Sequence, residues 1–126
     1  FSTDSDELGN GAKRTISQLL DSLNIPIVEI KDDDELEKLT SLTHDVDVVI
    51  DAVLGIGLSR AIEPPLSDIL DIVRDAKSGR PLMEIIAIDV PSGVDSDTGE
   101  VDVATVPTDL TLVLGLPKLG LFSGDA

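Results

Sequence analysis

Two aspartates stand at positions where a parallel sheet presents groups to a ligand. Asp51 follows an apolar run over residues 46–50, and Asp89 lies at the end of a second apolar run over residues 84–90. In open parallel α/β sheets, ligands bind beyond the carboxyl ends of the strands. One aspartate in such a place often only holds the following turn through a bond from its side chain to the backbone. Two of them at neighbouring strand ends favour a shared polar crevice.

The loop after Asp51 contains Gly55 and Gly57, which allow a backbone to pass close to a ligand because glycine has no side chain. The third glycine of a dinucleotide-binding fingerprint is missing, and the loop does not match a Walker motif either. A tight turn is therefore an equally good interpretation. Ser59 and Arg60 could contact a phosphate, although Arg60 could instead pair with Glu63.

The loop after Asp89 opens with a proline, Ser92 and a glycine. Its hydroxyl and carbonyl oxygens suit a hard, weakly bound cation, and a capped turn is the alternative. Residues 95–100 superficially resemble a calcium-binding loop, but Val106 occupies the position of the terminal acidic ligand. These residues therefore predict an Asx turn.

The other polar residues indicate less. His44 is the single histidine, and there is no cysteine, which excludes a histidine-based triad and a zinc site. His44 is expected to interact with a helix C-terminus. Lys118 lies between glycines after a predicted strand, where it could bind a ligand phosphate or simply be a surface lysine.

Strands and helices alternate along the chain. Helical spacing of apolar residues predicts helices over residues 9–23, about 34–43 and 66–76, and Asn24 and the acidic residues 32–34 are expected to cap the first two. Strands are predicted over residues 26–30, 46–50, 84–90 and 109–114, with a long loop over 91–107. This order predicts a three-layer, Rossmann-like α/β domain with a mainly parallel sheet that is covered on both faces.

Composition limits the partners. The 126 residues allow one domain at most, and 25 acidic against 9 basic residues give a net charge of −16. Such a charge disfavours binding to nucleic acids and to anionic membranes. We find neither a membrane-spanning apolar run nor a signal peptide, and the lack of cysteine fits a cytoplasmic location.

Four segments together resemble the NAD(P)H-hydrate epimerase family, also called the YjeF N-terminal domain family: residues 47–60, 88–100, 109–111 and 115–120. The resemblance extends over residues 4–126. It implies that the domain interconverts the R and S forms of hydrated NADH and NADPH, so that a partner dehydratase specific for the S form can restore the cofactor. Whether that dehydratase is fused in the parent chain stays open.

The resemblance also implies roles for individual residues. Asp51 and Ser92 match potassium ligands, and Asp89 matches the carboxylate that contacts the substrate. The loop that contacts the hydrated dinucleotide corresponds to Gly55, Ile56, Gly57, Leu58, Ser59, Arg60 and Ala61. Our hypothesis for the reaction is acid–base catalysis by Asp89, which would protonate the ring hydroxyl so that it leaves as water before water returns to the other face.

The sequence departs from the family pattern in places. A Gly-rich loop with paired asparagines and a Gly-Gly-Asp run, which supplies a further potassium ligand in the family, does not occur in residues 1–126. Residues 9–11 do not replace it, and Ile56 and Ala61 are mild departures from the common motif. We therefore expect residues 1–126 to be part of one epimerase-like domain, cut at both ends and inactive when isolated.

Two other functions compete with the enzyme. Relatives of this fold serve as interaction and dimerisation scaffolds in RNA-decapping and apolipoprotein-binding proteins, and an unrelated nucleotide-binding α/β domain would share the same topology. Asp51, Asp89 and Ser92 favour the enzyme, because a scaffold does not need them. A homodimer is compatible with either function.

Overall fold

A computed structural model describes residues 15, 17–27, 33–56 and 60–123. The chain divides into two compact units, Phe1–Ile30 and Lys31–Ala126. In the first unit residues 17–22 form a helix, α1, inside the predicted range. Asn24 ends this helix in the left-handed conformation, with a φ of +54°, as predicted for a C-terminal cap. The strand predicted over residues 26–30 is not seen at residues 26 and 27, and residues 28–30 lie outside the described part.

The second unit contains the alternating elements that the sequence predicts. They are α2 (Asp33–Asp45), β1 (Val48–Asp51), α3 (Leu66–Gly79), β2 (Glu84–Ile88), β3 (Leu110–Leu112) and a 3-10 helix, η1 (Leu119–Phe122). The three strands form a parallel sheet in the order β1-β2-β3. This unit is thus a small α/β domain with a parallel sheet, which confirms the predicted fold class.

One face of the sheet carries the hydrophobic core. Leu70 and Val73 of α3 pack with Ile85 of β2, and a loop after β2 adds Ala104 and Val106. The α3 helix begins at Leu66, directly after two prolines, which are tolerated where a helix starts. Burial of these side chains fixes α3 against the sheet, because each buried aliphatic side chain contributes about 1.5–3 kcal/mol.

The opposite face of the sheet is exposed at its edges, so the predicted burial of both strand faces is wrong for β1 and β3. Val48 and Ile50 of β1 and Leu110 and Leu112 of β3 are between 46% and 64% exposed. Successive side chains of a strand point to opposite faces, and α3 covers the face of Val49 and Ile85. The side chains that point to the other face of the sheet are not covered by a comparable apolar cluster of the described residues.

Arg80 joins the end of α2 to the start of β1. Its Nη1 donates to the carbonyls of Thr43, His44 and Val46 at 3.1, 2.9 and 2.6 Å, and its Nη2 lies 3.1 Å from the Asp47 carboxylate. The last carbonyls of a helix have no partner within the helix. Arg80 therefore satisfies these groups and sets where β1 begins. His44 itself lies in the last turn of α2, where we expected it.

Lys77 joins the starts of the other two strands. Its ammonium lies 2.8 Å from the carboxylate of Asp109 and donates to the Met83 carbonyl, and Asp109 also accepts the Ile85 amide at 2.8 Å. The hydrogen bond from Lys77, followed by that from Ile85, lowers the pKa of Asp109. The aspartate that opens β3 is therefore a structural residue in the described part of the chain.

No helix within the described ranges is long and apolar enough to cross a membrane.

We predict that Arg80→Gln lowers the free energy of unfolding by about 1–3 kcal/mol, because buried and helix-terminal carbonyls lose their donor. Lys38→Gln removes the same charge from an exposed position on α2 and serves as the control. Thermal or urea unfolding monitored by circular dichroism measures both. Equal effects of the two substitutions would show that Arg80 acts through its charge alone.

Candidate functional site

The carboxyl ends of β1 and β2 lie side by side. Asp51 is the last residue of β1 and pairs in register with Ala87 of β2, so Asp89 follows two residues farther along. Parallel pairing therefore places both aspartates at the same edge of the sheet, as the sequence predicts. Asp51 is buried, with 9% of its surface exposed.

Asp51 binds Ser92 through both carboxylate oxygens. The Ser92 hydroxyl donates to Oδ1 at 2.5 Å, and the Ser92 amide donates to Oδ2 at 2.7 Å. Ser92 is almost completely buried. The side chain of Asp51 also accepts the amide of Val53 at 3.4 Å, so the expected turn-holding contact is present but is the weakest of the three. Asp51 thus connects two loops that are 41 residues apart.

Ser92 extends this connection to the loop that follows β1. Its Oγ accepts the amide of Leu54 at 2.9 Å and lies 3.5 Å from the carbonyl oxygen of Leu54. Carboxylate and carbonyl oxygens therefore both lie beside the buried Ser92 hydroxyl, the carboxylate in a buried contact and the carbonyl in a partly buried one. None of the ion pairs recorded among the described residues involves Asp51.

These oxygens fit a hard, weakly bound cation better than a transition metal. A buried carboxylate without a basic partner favours a cation nearby, and oxygen donors suit alkali and alkaline-earth ions. Within the described ranges no group of three or more histidine, cysteine, aspartate or glutamate side chains could hold a metal. The set offered by Asp51, Ser92 and Leu54 is thus one carboxylate with neutral oxygens.

Asp89 leaves the strand in an unusual backbone conformation. Its φ is +72°, which is rare for a residue other than glycine. The strand predicted to run to residue 90 ends at Ile88 for this reason. The Asp89 amide still donates to the Leu112 carbonyl of β3 at 2.8 Å. The left-handed residue turns the chain at the sheet edge and holds the Asp89 side chain beside the segment that follows β3.

The Asp89 carboxylate accepts two hydrogen bonds at one oxygen. The ammonium of Lys118 and the amide of Leu114, the latter at 3.0 Å, both donate to Oδ1. Lys118 also donates to the Leu114 carbonyl at 3.2 Å. The side chains of Asp89 and Lys118 are each 20% exposed, so the ion pair is partly shielded from water.

The Asp89 carboxylate is held in its ionised form. The hydrogen bond from Lys118 and then that from the Leu114 amide lower the pKa of Asp89, partial burial opposes them, and the charge of Lys118 lowers the pKa further by a smaller amount. Lys118 is thus not a free surface lysine, since it binds the carboxylate of Asp89, and its contact with a ligand phosphate stays a prediction. Its position between glycines after a strand indicated that it could reach the sheet edge, but no local pattern pointed to Asp89 as its partner.

The predicted substrate loop is described in part. The structure describes four of its residues, Gly55, Ile56, Arg60 and Ala61. The other three lie outside the described residues: Gly57, Leu58 and Ser59. Ile56 is 66% exposed, and a Cβ atom at Gly55 would meet open space. The loop is therefore open to solvent at its described positions, as a ligand-contacting loop requires.

An open cavity of about 450 Å³ lies beside the end of this loop. Its lining consists of Arg60, Ala61 and five residues of the following long loop: Asp95, Glu100, Val101, Asp102 and Val103. Neither Asp51 nor Asp89 contributes to the lining. The structure therefore places Arg60 in an acidic recess that is distinct from the Asp51–Ser92 pair.

The segment after Gly93 is the Asx turn that the sequence predicts. The Asp95 Oδ1 accepts the amides of Asp97 and Thr98 at 2.9 and 2.7 Å. These backbone hydrogen bonds, that from Thr98 first, lower the pKa of Asp95. The carboxylate of Asp95 is therefore committed to the turn.

Comparison with known proteins identifies a family and several relatives. A family model described as YjeF-related protein N-terminus matches residues 1–120. The bifunctional NAD(P)H-hydrate repair enzyme Nnr of Thermofilum pendens is 39% identical over 93 residues, which are 74% of this chain and 17% of that protein. Nnr of Hyperthermus butylicus is 46% identical over 77 residues, which are 61% of this chain and 13% of that protein.

A shorter relative carries a single activity in its name. The NAD(P)H-hydrate epimerase of Limosilactobacillus fermentum is 37% identical over 81 residues, which are 64% of this chain and 36% of that protein. The chain thus spans less than a fifth of the length of these bifunctional relatives and about a third of this one.

We predict that Gly93→Ala destabilises the protein and displaces Ser92. Gly93 has a φ of +99°, and an added Cβ would lie 2.0 Å from the Thr105 hydroxyl oxygen. The backbone strain alone costs about 1–3 kcal/mol. Gly79→Ala is the control, because it lies at the end of α3 with no atom within 4 Å of the added Cβ. Melting temperatures that fall equally for both variants would contradict the steric explanation.

Proposed function

Because the chain belongs to the family of YjeF-related protein N-termini, we propose that it forms part of a domain that interconverts the R and S forms of hydrated NADH and NADPH. The names of the relatives support this substrate, since they describe an NAD(P)H-hydrate epimerase and bifunctional repair enzymes. The observation that carries the proposal is the pairing of Asp89 with Lys118 beside the buried Asp51–Ser92 pair, at the ends of neighbouring strands.

Asp89 is the proposed acid–base residue. Epimerisation, by loss of the ring hydroxyl as water or by ring opening, requires a proton to move to or from the hydroxyl oxygen, and a positioned carboxylate is worth about 10²–10⁴ in rate. The side chain of Asp89 is 20% exposed, so it is shielded and still reachable by a ligand. The described backbone at Gly55, Ile56, Arg60 and Ala61 would contact the rest of the dinucleotide, together with Gly57, Leu58 and Ser59.

Asp51 and Ser92 are the proposed ligands of a potassium ion, with the Leu54 carbonyl as a neighbouring donor. A bound potassium ion would supply positive charge that balances the buried carboxylate and attracts the phosphates of the substrate. The chain's own contribution is geometric, since the Ser92 hydroxyl and amide fix both oxygens of Asp51. This arrangement also holds the loop after β1, through the Leu54 amide, beside the loop after β2.

A dehydratase that acts on hydrated NAD(P)H is the proposed functional partner. The bifunctional names of several relatives support a fused partner domain in those proteins. Membership of the family rules out the unrelated nucleotide-binding domain considered from the sequence. The retained Asp51, Asp89 and Ser92 count against a scaffold without catalysis. A homodimer and a cytoplasmic location remain predictions.

We predict that Asp89→Asn in the full-length protein lowers the epimerisation rate by about 10²–10⁴. The amide has nearly the same shape but cannot accept a proton. Conversion of the purified R form to the S form, followed by chromatography, measures the rate. Asp97→Asn, at an exposed position of the Asx turn, is the control. An Asp89→Asn enzyme as fast as the Asp97→Asn enzyme would exclude Asp89 from the chemistry.

We predict that potassium chloride raises the melting temperature of the protein relative to choline chloride at equal ionic strength. A ligand at about 100 times its Kd stabilises the folded state by about 2.7 kcal/mol. Asp51→Asn and Ser92→Ala should each remove most of this difference, because each removes an oxygen ligand. The comparison is made between salts within each variant, so a general loss of stability does not affect it. A wild-type protein that melts equally in both salts would refute the site.

A further inference from the structure

The two hydrogen-bond donors at Asp89 act on the same oxygen. Lys118 and the Leu114 amide both donate to Oδ1, and no hydrogen bond to Oδ2 is recorded among the described residues. We propose that Lys118 is a positioning residue that, with the Leu114 amide, fixes Oδ1 and leaves Oδ2 as the proton acceptor for the substrate. This role of Lys118 adds a positioning residue to the proposed epimerase site, and it rests on the proposed epimerase function.

The contacts around Asp89 favour the ionised carboxylate, which can only accept hydrogen bonds. A protonated acid presents an O–H donor and one fewer acceptor site, whereas a carboxylate is acceptor only. Two donors converge on Asp89, and one of them carries a full positive charge. The lowered pKa of Asp89 agrees with this arrangement. The initial hypothesis that Asp89 first protonates the ring hydroxyl is therefore less favourable than removal of a proton by Asp89.

The charged groups around Asp89 come from two neighbouring segments. Lys118, on the segment that follows β3, is the cation whose charge acts on Asp89 in the described part of the chain. The adjacent strand β1 ends in Asp51, but both oxygens of that carboxylate are bound to Ser92. No other charged group in that part of the chain shifts the pKa of Asp89. Lys118 is therefore the residue whose removal tests the ionisation of Asp89.

Removal of a proton determines which ring bond breaks. The hydrated ring carries its hydroxyl on a carbon next to the ring nitrogen. Once Asp89 takes the hydroxyl proton, the oxygen forms a carbonyl, the carbon–nitrogen bond breaks, and the nitrogen receives the proton back from Asp89. Rotation about the adjacent carbon–carbon bond and reversal of these steps close the ring with the hydroxyl on the other face. The reaction therefore consumes no water and needs no further reactant.

The pH profile of kcat/KM tests the positioning role in the full-length protein. In wild type the acceptor form of Asp89 persists to low pH, because its pKa is lowered. Lys118→Met removes the cation, so the pKa of Asp89 rises and the acidic fall in rate moves to higher pH by about one pH unit or more. Lys118→Arg keeps a permanently charged donor and should leave the position of the acidic fall close to that of wild type.

The outcomes separate the inference from the function on which it rests. If the rate falls at the same acidic pH in wild type and in Lys118→Met, the positioning role of Lys118 is wrong. The role is also wrong if Lys118→Met is faster than wild type near neutral pH, because a higher pKa of Asp89 would speed the reaction only if Asp89 donated the proton. Thermal unfolding of the variants shows that they are folded. A wild-type protein that does not interconvert the epimers at any pH would instead refute the proposed function.

Oxygen-18-labelled water tests the bond that breaks. Ring opening keeps the original hydroxyl oxygen, so wild-type turnover in labelled water should give product with little label, as measured by mass spectrometry. Incorporation of one labelled oxygen for each conversion would show that the hydroxyl leaves as water, and it would overturn removal of a proton as the first step.

Discussion

The hydrogen bonds between Asp51 and Ser92 hold together the two loops on which the whole site depends. One loop follows β1 and the other follows β2, and the Ser92 hydroxyl and amide bind the Asp51 carboxylate at 2.5 and 2.7 Å. Farther along, Asp102 of the second loop accepts the Ile62 amide of the first loop at 3.0 Å. Parallel pairing of β1 with β2 brings the strand ends to one edge, but it does not set the conformation of the loops. The buried carboxylate does this, because an unpaired charge at that position would be costly.

Basic side chains are few in this acidic chain, and those of Lys77, Arg80 and Lys118 each bind both a carboxylate and a backbone carbonyl. Arg80 binds the end of α2, Lys77 binds the start of β3, and Lys118 binds Asp89. The contacts of Arg80 and Lys77 position the sheet, whereas Lys118 acts on the proposed catalytic carboxylate of Asp89. A net charge of −16 over the chain therefore says little about the local environment of Asp89. Local hydrogen bonds and one neighbouring cation decide its ionisation.

Much of the second unit could be predicted from sequence, since local patterns determine its elements. The apolar spacing around Leu70 and Val73 marks α3, and the apolar run before Asp51 marks β1. The ends of elements were less predictable. Asp89 ends β2 early through a left-handed backbone that depends on contacts with β3, and exposure of Ile50 and Leu112 depends on what packs against each sheet face.

The candidate site was predictable in its residues and not in its contacts. Asp51, Asp89 and Ser92 were identified from strand ends and motifs, whereas the partner of Lys118 lies 29 residues away in sequence. No local pattern encodes such a pairing, because it arises from the register of β3 beside β2.

We propose that this chain is part of a protein that catalyses the interconversion of the two epimers. The most direct measurement is to add the full-length wild-type protein to the purified R form of hydrated NADPH, with potassium present, and to follow both epimers by proton NMR. We expect the R and S forms to equilibrate much faster than in buffer alone, at a rate proportional to the protein concentration. Equilibration at the spontaneous rate, whatever the protein concentration, would contradict it.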